Sequence, residues 1–130
     1  MKQGGVTERV RRLSAGALVV LAAGCAEDPV DDVLTAPLFV PPKGAVQGLA
    51  LVVPRGRALA FVGQPMGRGE TLKTQIRLES ADAAVAAVEP TIEMNQFVVM
   101  GLSVGTTTLR VKDESGADAT PTLRVEVVSP

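Results

Sequence analysis

The chain has 130 residues and a formal net charge of −1, with one cysteine, no histidine, no tryptophan or tyrosine, and three phenylalanines. One cysteine excludes an internal disulfide, the lack of histidine excludes the usual zinc sets, and so few aromatics on a near-neutral chain exclude a basic, base-stacking surface for nucleic acid. A chain of this length holds one domain at most, and its core has to come from Val, Leu, Ile, Met and Ala, whose burial contributes on the order of 25 cal/mol per Å².

Residues 1–24 begin with Lys2, Arg9, Arg11 and Arg12 against Glu8 alone, followed by the apolar block Leu13–Ala23. That block is shorter than the ~20 residues a membrane-spanning helix needs, so it reads as the helix of a cleaved secretory signal. The only cysteine, Cys25, stands directly after the small residues Ala22, Ala23 and Gly24. A plain secretory signal with an incidental thiol, or a buried apolar helix, is the alternative reading of the same residues.

Residues 25–42 form an acidic linker that holds Glu27, Asp28, Asp31 and Asp32 together with four prolines, a composition that disfavours helix and buries little. Its acids lack the ligand spacing and glycine turn of a calcium loop. Leu38, Phe39 and Val40 lie between prolines and make a candidate edge strand.

From Lys43 to Pro130 basic and acidic residues balance, and short apolar runs are broken by Gly, Pro, Asn or Asp, the pattern of an all-β sandwich or barrel. Strands are expected over Val46–Val53 and Arg57–Val62, the latter closed by a turn region, GQPMGRGE. In 72–78 the alternation puts Leu72, Thr74, Ile76 and Leu78 on one face and Lys73, Gln75 and Arg77 on the other, which predicts a half-buried strand. The alanine-rich stretch Ser80–Glu89 suits a short helix or an extended loop equally, and Pro90 ends either. Phe97–Leu102 and Thr106–Val111 flank a glycine-containing turn of the kind that joins neighbouring strands. Thr107, Leu109 and Val111 share one face against Thr106, Thr108, Arg110 and Lys112. After a turn at 113–116, Leu123, Val125 and Val127 alternate with Arg124 and Glu126.

Chemistry is sparse. Glu70, Glu79, Asp82, Glu89 and Glu93 are the carboxylates that could serve as an acid and base pair, but no aromatic residues flank them to line a sugar cleft. Asp113, Glu114, Ser115 and Asp118 around Gly116 have calcium-like oxygen density, and a polar hairpin turn explains them as well. The expectation is no catalytic site, no metal and no cofactor.

Two resemblances add to this reading. Ala22-Ala23-Gly24-Cys25 resembles the lipobox of bacterial lipoproteins, departing at Ala22, where leucine is usual and Leu21 stands one residue early. The resemblance implies recognition of Leu21, Ala22, Ala23 and Gly24 by a signal peptidase, acylation of Cys25 and attachment to membrane lipid. Ala26, in place of a retention aspartate, implies the outer membrane. Residues 45–128 resemble a group 2 bacterial immunoglobulin-like domain: Asp82, Val85, Ala86 and Val88 match its middle segment, and Gly101, Leu102, Gly105, Thr106, Thr108, Leu109 and Val111 match its last. That implies an immunoglobulin-like β-sandwich, a non-enzymatic module for adhesion or envelope structure, with an envelope protein or polysaccharide as partner. The strand pair around Gly101 and Gly105 is also similar to the N-terminal domain of secretin-type pilus assembly proteins, which implies an accessory role in a pilus or secretion assembly.

Overall fold

The computed structural model describes residues 29–47 and 50–130. Within them lie ten strands and no helix: β1 (Asp32–Phe39), β2 (Ala45–Gln47), β3 (Ala50–Pro54), β4 (Ala58–Gly67), β5 (Glu70–Thr71), β6 (Arg77–Ser80), β7 (Ala86–Pro90), β8 (Gln96–Gly101), β9 (Gly105–Lys112) and β10 (Asp118–Val128). The first sheet runs β1-β4-β8-β7 with β5 paired to the end of β4, and the second runs β2-β3-β10-β9-β6. Neighbours are antiparallel except β3 and β10, which run parallel. The all-β immunoglobulin-like sandwich expected from the sequence is what the chain forms.

Alternation fixes which side chains fill the space between the sheets. Leu109 and Val111 of β9 and Leu123, Val125 and Val127 of β10 are fully buried, and so are Leu51 and Val53 of β3. They meet Val33, Leu59, Phe61, Phe97 and Val99 from the first sheet. Phe61 and Phe97 form the centre, their rings tilted at 33° with centroids 5.7 Å apart, a favourable aromatic spacing. Thr107 faces the same core with its hydroxyl unpartnered, a polar group in a position that valine would fill without cost.

The strand expected over Val46–Val53 is divided into the antiparallel pair β2 and β3, and the structure departs from the sequence reading at further points. First, Asp32–Phe39, inside the expected 25–42 linker, is a full strand paired along β4 from Asp32 opposite Met66 to Phe39 opposite Ala60. Val30 and Val33 are buried, so the fold begins well before Lys43. Pro37 is accommodated because β1 is a sheet edge with a register break between Pro37 and Phe39, both places where a missing N–H is tolerated. Second, most of the expected GQPMGRGE turn is strand, and the chain reverses only at Arg68 and Gly69. Pro65 fits because its carbonyl accepts from the Leu72 N–H (2.9 Å), so its nitrogen faces the same side, where the ladder to β8 has already ended at Val62.

Third, the alternation at 72–78 reports burial rather than pairing. Thr74 and Ile76 are buried as expected, yet the ladder to β9 starts only at Arg77. The Asn95 side chain takes the place of a neighbouring strand. Its Oδ1 accepts from the Ile76 N–H (2.9 Å) and its Nδ2 donates to the Thr74 carbonyl (2.9 Å). Asn95 has a φ of 60°, a left-handed conformation that asparagine tolerates better than most residues. Fourth, β8 and β9 are not a hairpin: they belong to opposite sheets, and residues 102–104 carry the chain across.

Ser80–Glu89 is neither a helix nor a simple loop. Residues 81–85 make one turn between β6 and β7, and residues 86–89 already belong to β7; in the turn the Asp82 carboxylate accepts from the Ala84 N–H (3.0 Å) and the Asp82 carbonyl from the N–H groups of Val85 and Ala86.

Asn95→Ala strands a buried N–H and a carbonyl at once and is expected to lower unfolding free energy by about 2–3 kcal/mol in chemical denaturation. Asn95→Gly keeps the backbone freedom and is expected to lose most of the same stability, which separates the side-chain bonds from the φ requirement.

Candidate interaction surface

The strands of the first sheet are apolar on both faces. In β4 the inward set is Leu59, Phe61, Gly63 and Pro65, and the outward set is Ala58, Ala60, Val62, Gln64 and Met66. In β8 Phe97 and Val99 point in while Gln96, Val98 and Met100 point out. Register places these outward residues in rows. Ala58, Met100 and Ala87 make one row, and Phe39, Ala60, Val98 and Glu89 the next. Ala36, Val62 and Gln96 follow, then Leu34 with Gln64, then Asp32 with Met66.

The result is an apolar sheet face that none of the described residues covers. Leu34 and Phe39 are 51% and 60% exposed, and the smaller residues between them are half-buried by one another. Among the described residues of these rows the only charges are Asp32 at one corner and Glu89 on the opposite edge. Strands of eight, ten, six and five residues, at ~3.3 Å per residue and ~4.8 Å spacing, give a face of roughly 460 Å². Antiparallel sheets that meet water on one side normally alternate apolar and polar residues, and strands apolar on both faces go with sheets covered on both sides. A face of this size is comparable to the largest apolar patch on a typical monomer, which is often functional.

The second sheet presents the opposite character. Arg110 on β9 pairs with Glu79 on β6 (3.1 Å), and Lys112 reaches both Asp118 (2.7 Å) and Glu79 (4.0 Å). Arg124 and Glu126 continue this polar face along β10. Such solvent-exposed pairs add little stability, but they keep the face in water. The Lys112 ammonium, hydrogen-bonded to Asp118, holds that carboxyl below its ordinary value. Asp113 is also lowered, first by its hydrogen bond from the Ser115 hydroxyl (2.6 Å) and then by the backbone N–H groups it gathers in the turn.

The carboxylates singled out from the sequence lie on separate elements: Glu70 on β5, Glu79 on β6, Asp82 in the turn before β7, Glu89 on β7 and Glu93 in the loop before β8. Glu79 is tied to Arg110, and Asp82 caps its own turn. In the 113–118 turn, Asp113 Oδ1 accepts from the Ser115 N–H and hydroxyl and from the Ala117 N–H, and Asp118 Oδ1 accepts from Lys112. Among the described residues no group of three or more Asp, Glu, Cys or His is placed to hold a metal. A shallow, open depression of about 380 Å³ is lined by Gln75, Arg77 and Glu114 and carries no apolar enclosure. Cys25, with Leu21, Ala22, Ala23 and Gly24, lies outside the described residues. The sequence reading missed the outer face of the first sheet, although ALAFV and FVVM carry its signal: both parities of each run are apolar.

Two solved structures share this architecture, both of them domains of the S-layer protein SbsC. The structure of domains 4 and 5 aligns with a TM-score of 0.51 at 20% identity over 72% of this chain and 54% of that one. That of domains 5–6 aligns with a TM-score of 0.51 at 19% identity over 73% and 45%. The chain thus spans about half the length of the structures it matches. At these identities the likeness is one of fold. No protein-family model matches the chain, and neither does any curated protein sequence.

Because the Asp118 pKa is depressed, the pairing with Lys112 contributes at neutral pH, is fully present above the ordinary carboxylate value and is lost as pH falls through the depressed one. Lys112→Ala is expected to move the Asp118 carboxyl up toward its ordinary value in an NMR titration, with no change at Asp113.

Proposed function

We propose that the chain is a lipid-anchored envelope module that presents a non-catalytic immunoglobulin-like sandwich and binds its partner through the outer face of the first sheet. The observation that carries the binding part is that apolar face, which none of the described residues covers, on a domain whose other face is charged. The anchoring part is supported by the basic start, the short apolar block and the lone cysteine at its end. Only four residues separate Cys25 from buried Val30. An acylated Cys25 therefore holds the sandwich within about 15 Å of chain length from the bilayer surface. Acyl chains contribute ~0.8 kcal/mol per buried methylene, so two or more make the attachment stable.

The fold is one that a surface-layer protein also uses, which supports an envelope setting, with the outer membrane as the expected location. In this reading the partner is an envelope protein rather than a polysaccharide, because the face carries a single aromatic ring, Phe39, has its polar groups toward the ends and edges of the strands, and offers mainly apolar area.

Mass spectrometry of the mature protein tests the anchor. An N-terminal cysteine carrying acyl groups is expected for wild type, and an uncleaved, unacylated chain for Cys25→Ala. An unmodified N-terminus in the wild type would contradict the anchor and leave the surface reading standing.

A further inference from the structure

We infer that the end of the sandwich where β3 hands over to β4 is a second binding site, at which Arg55, Arg57 and Lys43 take the carboxylates of an acidic segment of a partner protein. It lies apart from the outer face of the first sheet and depends neither on that face being covered nor on acylation of Cys25.

Four connections close this end: residues 40–44, 54–57, 81–85 and 102–104. They hold three cations, Lys43, Arg55 and Arg57, against Asp82 alone, whose carboxylate already caps its own turn. The described connections of the opposite end are the reverse, with Asp31, Glu93, Asp113 and Glu114 against Arg68 and Lys73. Charge is therefore segregated along the strands of a nearly neutral domain.

The backbone beneath the arginines is fixed. Pro54–Arg57 is a β-turn in which the Arg57 N–H donates to the Pro54 carbonyl (3.0 Å) and Gly56, at φ 81°, supplies the left-handed position. The Arg55 N–H donates to the Val128 carbonyl (2.8 Å) and the Gly56 N–H to the Gly101 carbonyl (2.8 Å), so each N–H of residues 55–57 is taken up by the fold. Both arginines are exposed, and among the described residues neither they nor Lys43 has an ion-pair partner. Lys43 reaches the same end because β2 pairs with β3 from Ala45 opposite Val52, two residues further on.

Three like charges without a counter-ion raise the local potential and favour an anion there. Guanidinium suits a carboxylate, because its planar donors meet both oxygens at once. Leu102, 50% exposed, follows directly on Gly101, which the turn holds through Gly56 and Arg57. Cations beside an exposed leucine fit a peptide with acidic and apolar side chains better than they fit a bare polyanion. The chain enters the fold at the other end of β4, where Asp32 stands opposite Met66, roughly 26 Å from Ala58 at ~3.3 Å per residue. An anchor at Cys25 therefore attaches at the opposite end from this site.

NMR titration of the purified protein, in non-ionic detergent, with a pentapeptide of four glutamates around a central leucine tests the site. Amide shifts at Lys43, Arg55, Gly56, Arg57 and Leu102 are expected, weakening as salt rises because exposed charges are screened over ~8 Å at physiological ionic strength. Arg55→Gln combined with Arg57→Gln should reduce affinity about tenfold while keeping the wild-type circular dichroism. Arg124→Gln, on the outer face of the second sheet, should bind as wild type does. The inference is overturned if the peptide shifts none of these amides at low salt, if the double variant binds as tightly as wild type, or if Arg124→Gln loses binding equally. Tighter binding of inorganic polyphosphate than of the peptide overturns the protein segment as occupant. Loss of binding in Ala60→Glu, with the double variant unaffected, assigns the peptide to the first sheet and overturns the site as well.

Discussion

Everything in this sandwich is referred to one close approach, where β3 leaves the second sheet and the chain re-emerges as β4 in the first. The Gly101 N–H donates to the Arg57 carbonyl (3.0 Å), and the Gly101 carbonyl accepts from the Gly56 N–H (2.8 Å). A Cβ at Gly101 would lie 2.8 Å from the Pro54 carbonyl oxygen and 3.0 Å from Val127, so only a residue without a side chain lets β8 sit against the crossing. This contact brings the end of β8 against β3 and β10. With no disulfide available, the spacing of the sheets depends on this junction and on the aliphatic layer behind it, chiefly Leu51, Leu59, Leu109 and Leu123.

Once that spacing is fixed, each strand has an inside and an outside, and the two outsides diverge. The second sheet puts threonines and paired charges into water, which is the ordinary state of a half-buried antiparallel sheet. The first sheet puts Val62, Val98, Met100 and the β4 alanines there. The irregular segment at 72–76 follows the same logic of completeness. It cannot join a ladder, so Asn95 from the loop before β8 and the Gln64 side chain, which donates to the Leu72 carbonyl (3.0 Å), take over its backbone groups. Polar satisfaction is thus supplied by neighbouring side chains, and the apolar face is left as a surface that none of the described residues covers.

The legible parts of the sequence were those with one wet face. Thr107, Leu109 and Val111, and Leu123, Val125 and Val127, alternate with charged or hydroxylated neighbours, and both sets point into the core. Where both parities are apolar, as in ALAFV and FVVM, periodicity reveals a strand without saying which side is free, and the surface stayed hidden for that reason. β1 was obscured by composition, because acids and prolines outweigh the two buried valines that dock it. The part played by Asn95 is not readable locally, since its partners stand 19 and 21 residues away. The turn at 113–117 was recognised as polar, and its oxygens are engaged by its own N–H and hydroxyl groups.

The central claim is that the outer face of the first sheet is covered when the protein works. Its methionines provide an internal measurement: Met66 and Met100 lie on that face, whereas Met94 is 60% exposed in the loop before β8. Brief oxidation of intact cells, compared with dilute purified protein, reads the three sites by mass spectrometry, because thioether oxidation follows exposure. Protection of Met66 and Met100 in cells, with Met94 oxidised equally in both samples, is the predicted result. Equal oxidation of all three in cells and in dilute solution would contradict the account.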